Sequence, residues 1–88
     1  MFDQGHNQLP VLEHELQVVM QSVVDSGGQF YQVRSAVREV AKDYPQYIIW
    51  SPELRGDQAV ADVWSRSWER LLEVRVPVSK QILEAPMW

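Results

Sequence analysis

DQAVADVWSRSWERLLEVRV, residues 57–76, is the stretch on which the reading of the fold turns. Val60, Val63, Trp64, Trp68, Leu71 and Val74 recur at three- and four-residue steps, the period of an amphipathic helix. Trp64 and Trp68 are four apart and fall on one stripe of such a helix. Together they carry the largest apolar area in the chain, which makes them the expected centre of a core. Asp57 caps the helix and Pro77 ends it.

Working outward, the segments before this stretch read as two further helices. In the first, about 9–26, Leu9, Leu12, Leu16, Val19, Met20 and Val23 share one side, and His14, Gln17, Gln21 and Asp25 the other. Pro10 suits a first turn, and Ser26-Gly27-Gly28 stops the helix. In the second, about 29–44, Phe30, Val33, Val37, Val40, Ala41 and Tyr44 form the core side. Arg34, Arg38 and Lys42 form a basic stripe at four-residue spacing opposite them, with Tyr31 projecting among them. Residues 47–50, Tyr-Ile-Ile-Trp, are β-prone and bounded by Pro45 and Pro52. A lone strand is not stable, so they read as a short apolar connector that pins Ile48, Ile49 or Trp50 into the core. Residues 79–84 suit one last short helix. The expectation is an all-α fold: a single domain over 9–88, built on three main helices and preceded by a flexible tail over 1–8.

Composition narrows the function classes. Eighty-eight residues make one domain at most. The apolar share of 45% and four tryptophans argue against disorder. The chain has no cysteine, which removes disulfides, thiol chemistry and thiolate metal sites and fits a cytoplasmic setting. No apolar run approaches the roughly 18 residues that span a membrane, and the N-terminus does not read as a secretion signal. The net charge of −4 is uneven. Residues 1–33 carry Asp3, Glu13, Glu15 and Asp25 and no Lys or Arg, whereas acids and bases cancel in 34–88. An acidic first third is a poor footprint for nucleic acid and suits a basic protein partner.

No catalytic set is visible, so the chain reads as a non-enzyme with no cofactor and no metal. His6 lies in the tail and His14 on the outer face of the first helix, neither beside a serine in sequence. His14-Glu15 lacks the second histidine of a zinc-protease helix, because position 18 is Val. Gly27-Gly28 lacks the spacing of a phosphate loop. Arg55-Gly56-Asp57 spells the adhesive RGD tripeptide but fits a capping turn.

The function expected from these features is binding to another protein, as a regulator, inhibitor, immunity or assembly factor of the kind phages and plasmids encode. The expected contact residues are Tyr31, Arg34, Arg38 and Lys42, with the apolar chain end Met87 and Trp88; exposed Tyr beside Arg is typical of interface anchors. Homodimerisation is compatible with this reading. An alternative is a helix-turn-helix DNA reader, with the basic stripe of the second helix in the groove. A more remote one starts from Asp25-Ser26 between two helices, which resembles the Asp-Ser pair of acyl and peptidyl carrier proteins. That resemblance implies a phosphopantetheine arm on Ser26, although Gly27 stands where carriers place an apolar residue.

Overall fold

The computed structural model describes residues 4–78 and shows an α+β fold, not the expected all-α bundle. Helices α1 (Gln4–Asp25) and α2 (Phe30–Ala41) are followed by strands β1 (Tyr47–Ile49), β2 (Glu53–Arg55), β3 (Gln58–Ser65) and β4 (Arg70–Pro77). All the strand pairs are antiparallel. β3 is the centre of the sheet: β4 runs along one side of it, and β1 and β2 lie end to end along the other.

The expected third helix is therefore a hairpin. A helical stripe through Val60, Val63, Trp64, Trp68 and Leu71 leaves Ala59, Ala61, Leu72 and Val76 off the apolar side. In the structure Ala59, Ala61, Val63, Val74 and Val76 are all buried, at alternate positions of two strands. Period two accounts for more of the buried residues than period 3.6. The connector over 47–50 is corrected as well: β1 finds its partner in β3, with Ile48 opposite Trp64 and Ile49 opposite Val63. The partner was hidden inside the stretch read as helix.

The helices cover one face of the sheet. Leu12, Leu16 and Met20 of α1 and Val33 and Val37 of α2 pack with Ala59, Ala61, Val63, Val74 and Val76 in one core. α1 begins at Gln4, so Pro10 lies inside it and not in its first turn. It ends in a Schellman motif: Gly28 N–H donates to the Val23 carbonyl (2.9 Å) and Gly27 N–H to the Val24 carbonyl (3.1 Å). Gly27 takes the required left-handed conformation, φ 76°. Gly28 is needed for space, because a Cβ there would stand 2.8 Å from Val23 Cγ1. The short last helix expected at 79–84, like Met87 and Trp88, lies outside the described residues.

Tight turns fix the sheet. Gly56 and Asp57 join β2 to β3 in a two-residue loop, with positive φ at Gly56 alone (62°), the pattern of a II′ hairpin turn. The RGD tripeptide is thus a hairpin turn. At the other end of the core, Tyr44 Oη donates to Glu15 Oε1 at 2.6 Å, tying the segment after α2 back to α1. That bond, then burial and the Glu15 charge, push the Tyr44 phenol from 10.0 up to about 12.

A folded-state pKa above the unfolded value means this bond stabilises the fold fully below pH 10 and is lost as pH rises through about 12. Tyr44→Phe is expected to cost about 1.5 kcal/mol at neutral pH, the value of a hydrogen bond to a charged group. Denaturant unfolding between pH 7 and 12 checks it. Stability of the unsubstituted chain should fall more steeply above pH 10 than that of the variant, and parallel curves would show that the bond contributes nothing.

Candidate functional site: the uncovered face of the sheet

Alternation places Ile48, Glu53, Arg55, Val60, Asp62, Trp64, Arg70, Glu73 and Arg75 on the sheet face that no described helix covers. Two features are built on it, a charge lattice and a tryptophan cluster.

The lattice answers a local problem. Asp62 and Glu73 stand directly opposite each other on β3 and β4. Like charges in that position destabilise a sheet, and three arginines offset them. Asp62 Oδ2 lies 3.5 Å from Arg70 and 3.7 Å from Arg55. Glu73 lies 2.8 Å from Arg75, 3.4 Å from Arg55 and 3.7 Å from Arg70. The hydrogen bond from Arg75, with the charges of Arg75, Arg70 and Arg55, holds the Glu73 carboxyl below the usual carboxylate range against the opposing effect of desolvation. Arg55 also bonds Glu53 at 2.9 Å, which raises its own pKa further. Asp62 Oδ1 is buried without a hydrogen-bond partner, as is the indole Nε1 of Trp64.

The tryptophans come from three places in the chain. Trp64 lies on β3, with Arg70 5.9 Å above its ring. Trp50 lies where β1 gives way to β2, its N–H donating to the Asp62 carbonyl (3.0 Å). Trp68 lies in the β3–β4 turn. Its ring centroid is 6.2 Å from that of Trp50 and 6.4 Å from that of Trp64, the latter edge to face. Trp50 is 49% and Trp68 60% exposed, so the cluster is open to solvent. The expectation that Trp64 and Trp68 sit in the core is overturned for Trp68, and Trp64 is only half-buried.

Trp68 is held there against its own backbone preference. The turn has the form of a three-residue hairpin loop: Ser65 N–H bonds the Glu69 carbonyl (2.8 Å) and Trp68 N–H bonds the Ser65 carbonyl (3.0 Å). Such loops close through a left-handed residue, usually glycine. Here it is Trp68, φ 67°, the only non-glycine positive φ among the described residues. A bulky residue in that region costs roughly 1–2 kcal/mol. Ser65 Oγ accepts from Glu69 N–H (3.1 Å) and Ser67 N–H (3.3 Å), and the Arg66 guanidinium bonds the Pro45 carbonyl, which together hold the turn in shape.

The residues expected to contact a partner divide. Arg34 Nε donates to the Pro52 carbonyl at 3.4 Å, its guanidinium lies 5.0 Å above the Phe30 ring, and it shares a groove of about 450 Å³ with Trp50, Asp62 and Trp64. Arg38 lines an adjoining cleft with Ile49 and Ser51. Lys42 pairs with Glu39 at 3.0 Å, away from the tryptophans, and Tyr31 is 64% exposed on α2. Arg34 and Arg38 of the basic stripe thus lie along the seam between α2 and the sheet, and Lys42 does not. His14 and Ser22 border a shallow groove on α1, but they are eight residues apart, roughly 12 Å along a helix. Ser26, the candidate carrier serine, donates to the Val23 carbonyl at 3.0 Å as part of the α1 terminus. No group of three His, Asp or Glu among the described residues could hold a metal ion, and no helix among them is long and apolar enough to cross a membrane. The sequence matches no protein-family model, and no curated protein or solved structure matches the chain.

The helical period over 57–76 hides Asp62 and Arg70 and sends Trp64 to the core, and the connector reading of 47–50 does the same for Trp50. The signal that finds them is the alternation of Ala59, Ala61 and Val63 against Val60, Asp62 and Trp64, with Gly56-Asp57 as a hairpin turn before it. Trp68→Gly removes the left-handed strain along with the exposed ring contacts. It is expected to change unfolding free energy by less than about 1 kcal/mol. Denaturant titration checks this; a loss of about 3 kcal/mol or more, the cost of deleting a core aromatic, would return Trp68 to the core.

Proposed function

We propose that this protein is a non-enzymatic binding module of the cytosol, a regulator or inhibitor that engages another protein through the uncovered sheet face. Trp50, Trp64 and Trp68 form the contact centre, and Arg34 and Arg38 border it along α2. The observation that carries this reading is Trp68: a large aromatic side chain more than half exposed, on a strained backbone where glycine costs least. Its ring contacts with Trp50 and Trp64 are themselves exposed and do little more than offset the strain, which supports a role for the side chain in contact with a partner. Trp and Arg are also the residues that most often dominate protein–protein binding energy.

Charge favours a protein over nucleic acid as the partner. Arg55, Arg70 and Arg75 are matched by Glu53, Asp62 and Glu73, so the face has little net charge to release counterions from phosphates. The cytosolic placement rests on the absence of cysteine.

A pull-down from native lysate, with and without nuclease and at two salt concentrations, tests the reading. The unsubstituted chain is expected to retain a discrete protein after nuclease. A Trp50→Ala, Trp68→Gly double variant should fold and lose it, whereas Val18→Ala, on the exposed side of α1, should keep it. Equal retention by the double variant removes the sheet face as the contact surface. Recovery of nucleic acid that fades with salt would replace the protein partner with the DNA-reader alternative.

A further inference from the structure

The outer edge of β4 is unpaired by any strand among the described residues, and its backbone parity can be worked out. Val78 N–H donates to the Asp57 carbonyl at 2.9 Å, in register with Gln58 opposite Pro77. In an antiparallel ladder the hydrogen-bonded pairs alternate. Ala59–Val76, Ala61–Val74 and Val63–Leu72 are therefore the bonded pairs, and Leu72, Val74 and Val76 turn their N–H and C=O groups toward β3. Glu73 and Arg75 turn theirs outward. Pro77 has no N–H, so the outward ladder ends there.

An eight-residue edge whose outward donors and acceptors pair with no strand among the described residues is a template for another strand. The side chains at its two outward positions are of opposite charge, Glu73 and Arg75. The geometry points to a second copy of this chain as the occupant, with β4 pairing antiparallel to β4 of the copy about a two-fold axis at Val74. In that register Glu73 faces Arg75 of the other copy and Arg75 faces its Glu73. All four residues are outward-facing, so their N–H and C=O groups form about four backbone hydrogen bonds. Moving the axis by one residue places Glu73 opposite Glu73 or Arg75 opposite Arg75, which like-charge repulsion disfavours. The axis is perpendicular to the sheet, so helices stay on one side and both tryptophan clusters on the other. The dimer presents two partner-binding faces in one plane. The dimer itself does not depend on the partner reading above.

Sedimentation equilibrium on the full chain, with Glu73→Arg and Arg75→Glu as variants, is the test. The unsubstituted chain is expected at twice the chain mass, and each variant at the chain mass with an unchanged far-ultraviolet circular dichroism spectrum. Mixing the two variants in equal amounts should restore the doubled mass, because every arginine at position 73 or 75 of one variant then faces a glutamate of the other. A misfolded variant would show no such rescue. Amide exchange supplies a second reading: the amides of positions 73 and 75 should be protected in the unsubstituted chain and fast in each variant alone. A monomeric unsubstituted chain overturns the proposal; protected Glu73 and Arg75 amides in that monomer would mean that its own residues beyond 78 occupy the edge. A dimer that survives both single variants also overturns it, since the contact would lie elsewhere.

Discussion

The constraint on which the structure depends is the two-sidedness of β3. Ala59, Ala61 and Val63 face the helices and are fully buried, while Val60, Asp62 and Trp64 face the other way. Among the described residues β3 is also the only strand that pairs along both its sides. A one-residue slip would move Asp62 into the core and the valine out of it, so burial on one face fixes register on the other. Ala59 and Ala61 lie in one buried cluster with Leu12, Leu16 and Val37, with α1 packed against β4 and α2 against β1.

That register creates the charge problem on the outer face. Once Val63 is opposite Leu72, Asp62 must be opposite Glu73. Arg55 reaches both acids from β2, and Arg70 reaches both from the end of β4. The pairs are partly exposed, so each contributes modestly to stability. Their joint effect is to make a sheet face tolerate two adjacent carboxylates and remain nearly neutral. The same alternation of sign along β4, Glu73 then Arg75, gives its outer edge a charge pattern complementary to its own reverse.

Binding chemistry concentrates where folding demands least. The Trp50–Pro52 break between β1 and β2, the Ser65–Glu69 turn and the outer side of β3 bring three tryptophans within ring contact. None of the three is required by the helix-facing core. Arg34, tied to the Pro52 carbonyl, brings α2 to the border of this patch. One residue of the expected basic stripe thus belongs to the surface that the tryptophans define.

Both helices were legible in the sequence, because Leu12, Leu16 and Met20, and Val33 and Val37, are spaced for one helical face and bounded by Gly27-Gly28 and Pro45. Composition likewise removed disulfide and thiol chemistry, and Tyr31 is exposed, as its place opposite the apolar positions of the second helix implied. Residues 57–76 were not legible in the same way. Their apolar positions satisfy both the helical and the strand period, and a local pattern cannot choose between the two. Tertiary structure decided it. As a hairpin the stretch buries Ala59, Ala61 and Val76 and packs Leu72 against the same core, positions that a helix would waste. It also gives Tyr47–Ile49 the strand partner that this β-prone run lacked. The tryptophan face followed from that choice, because only pairing across β3 brings Trp50 within reach of Trp64 and Trp68.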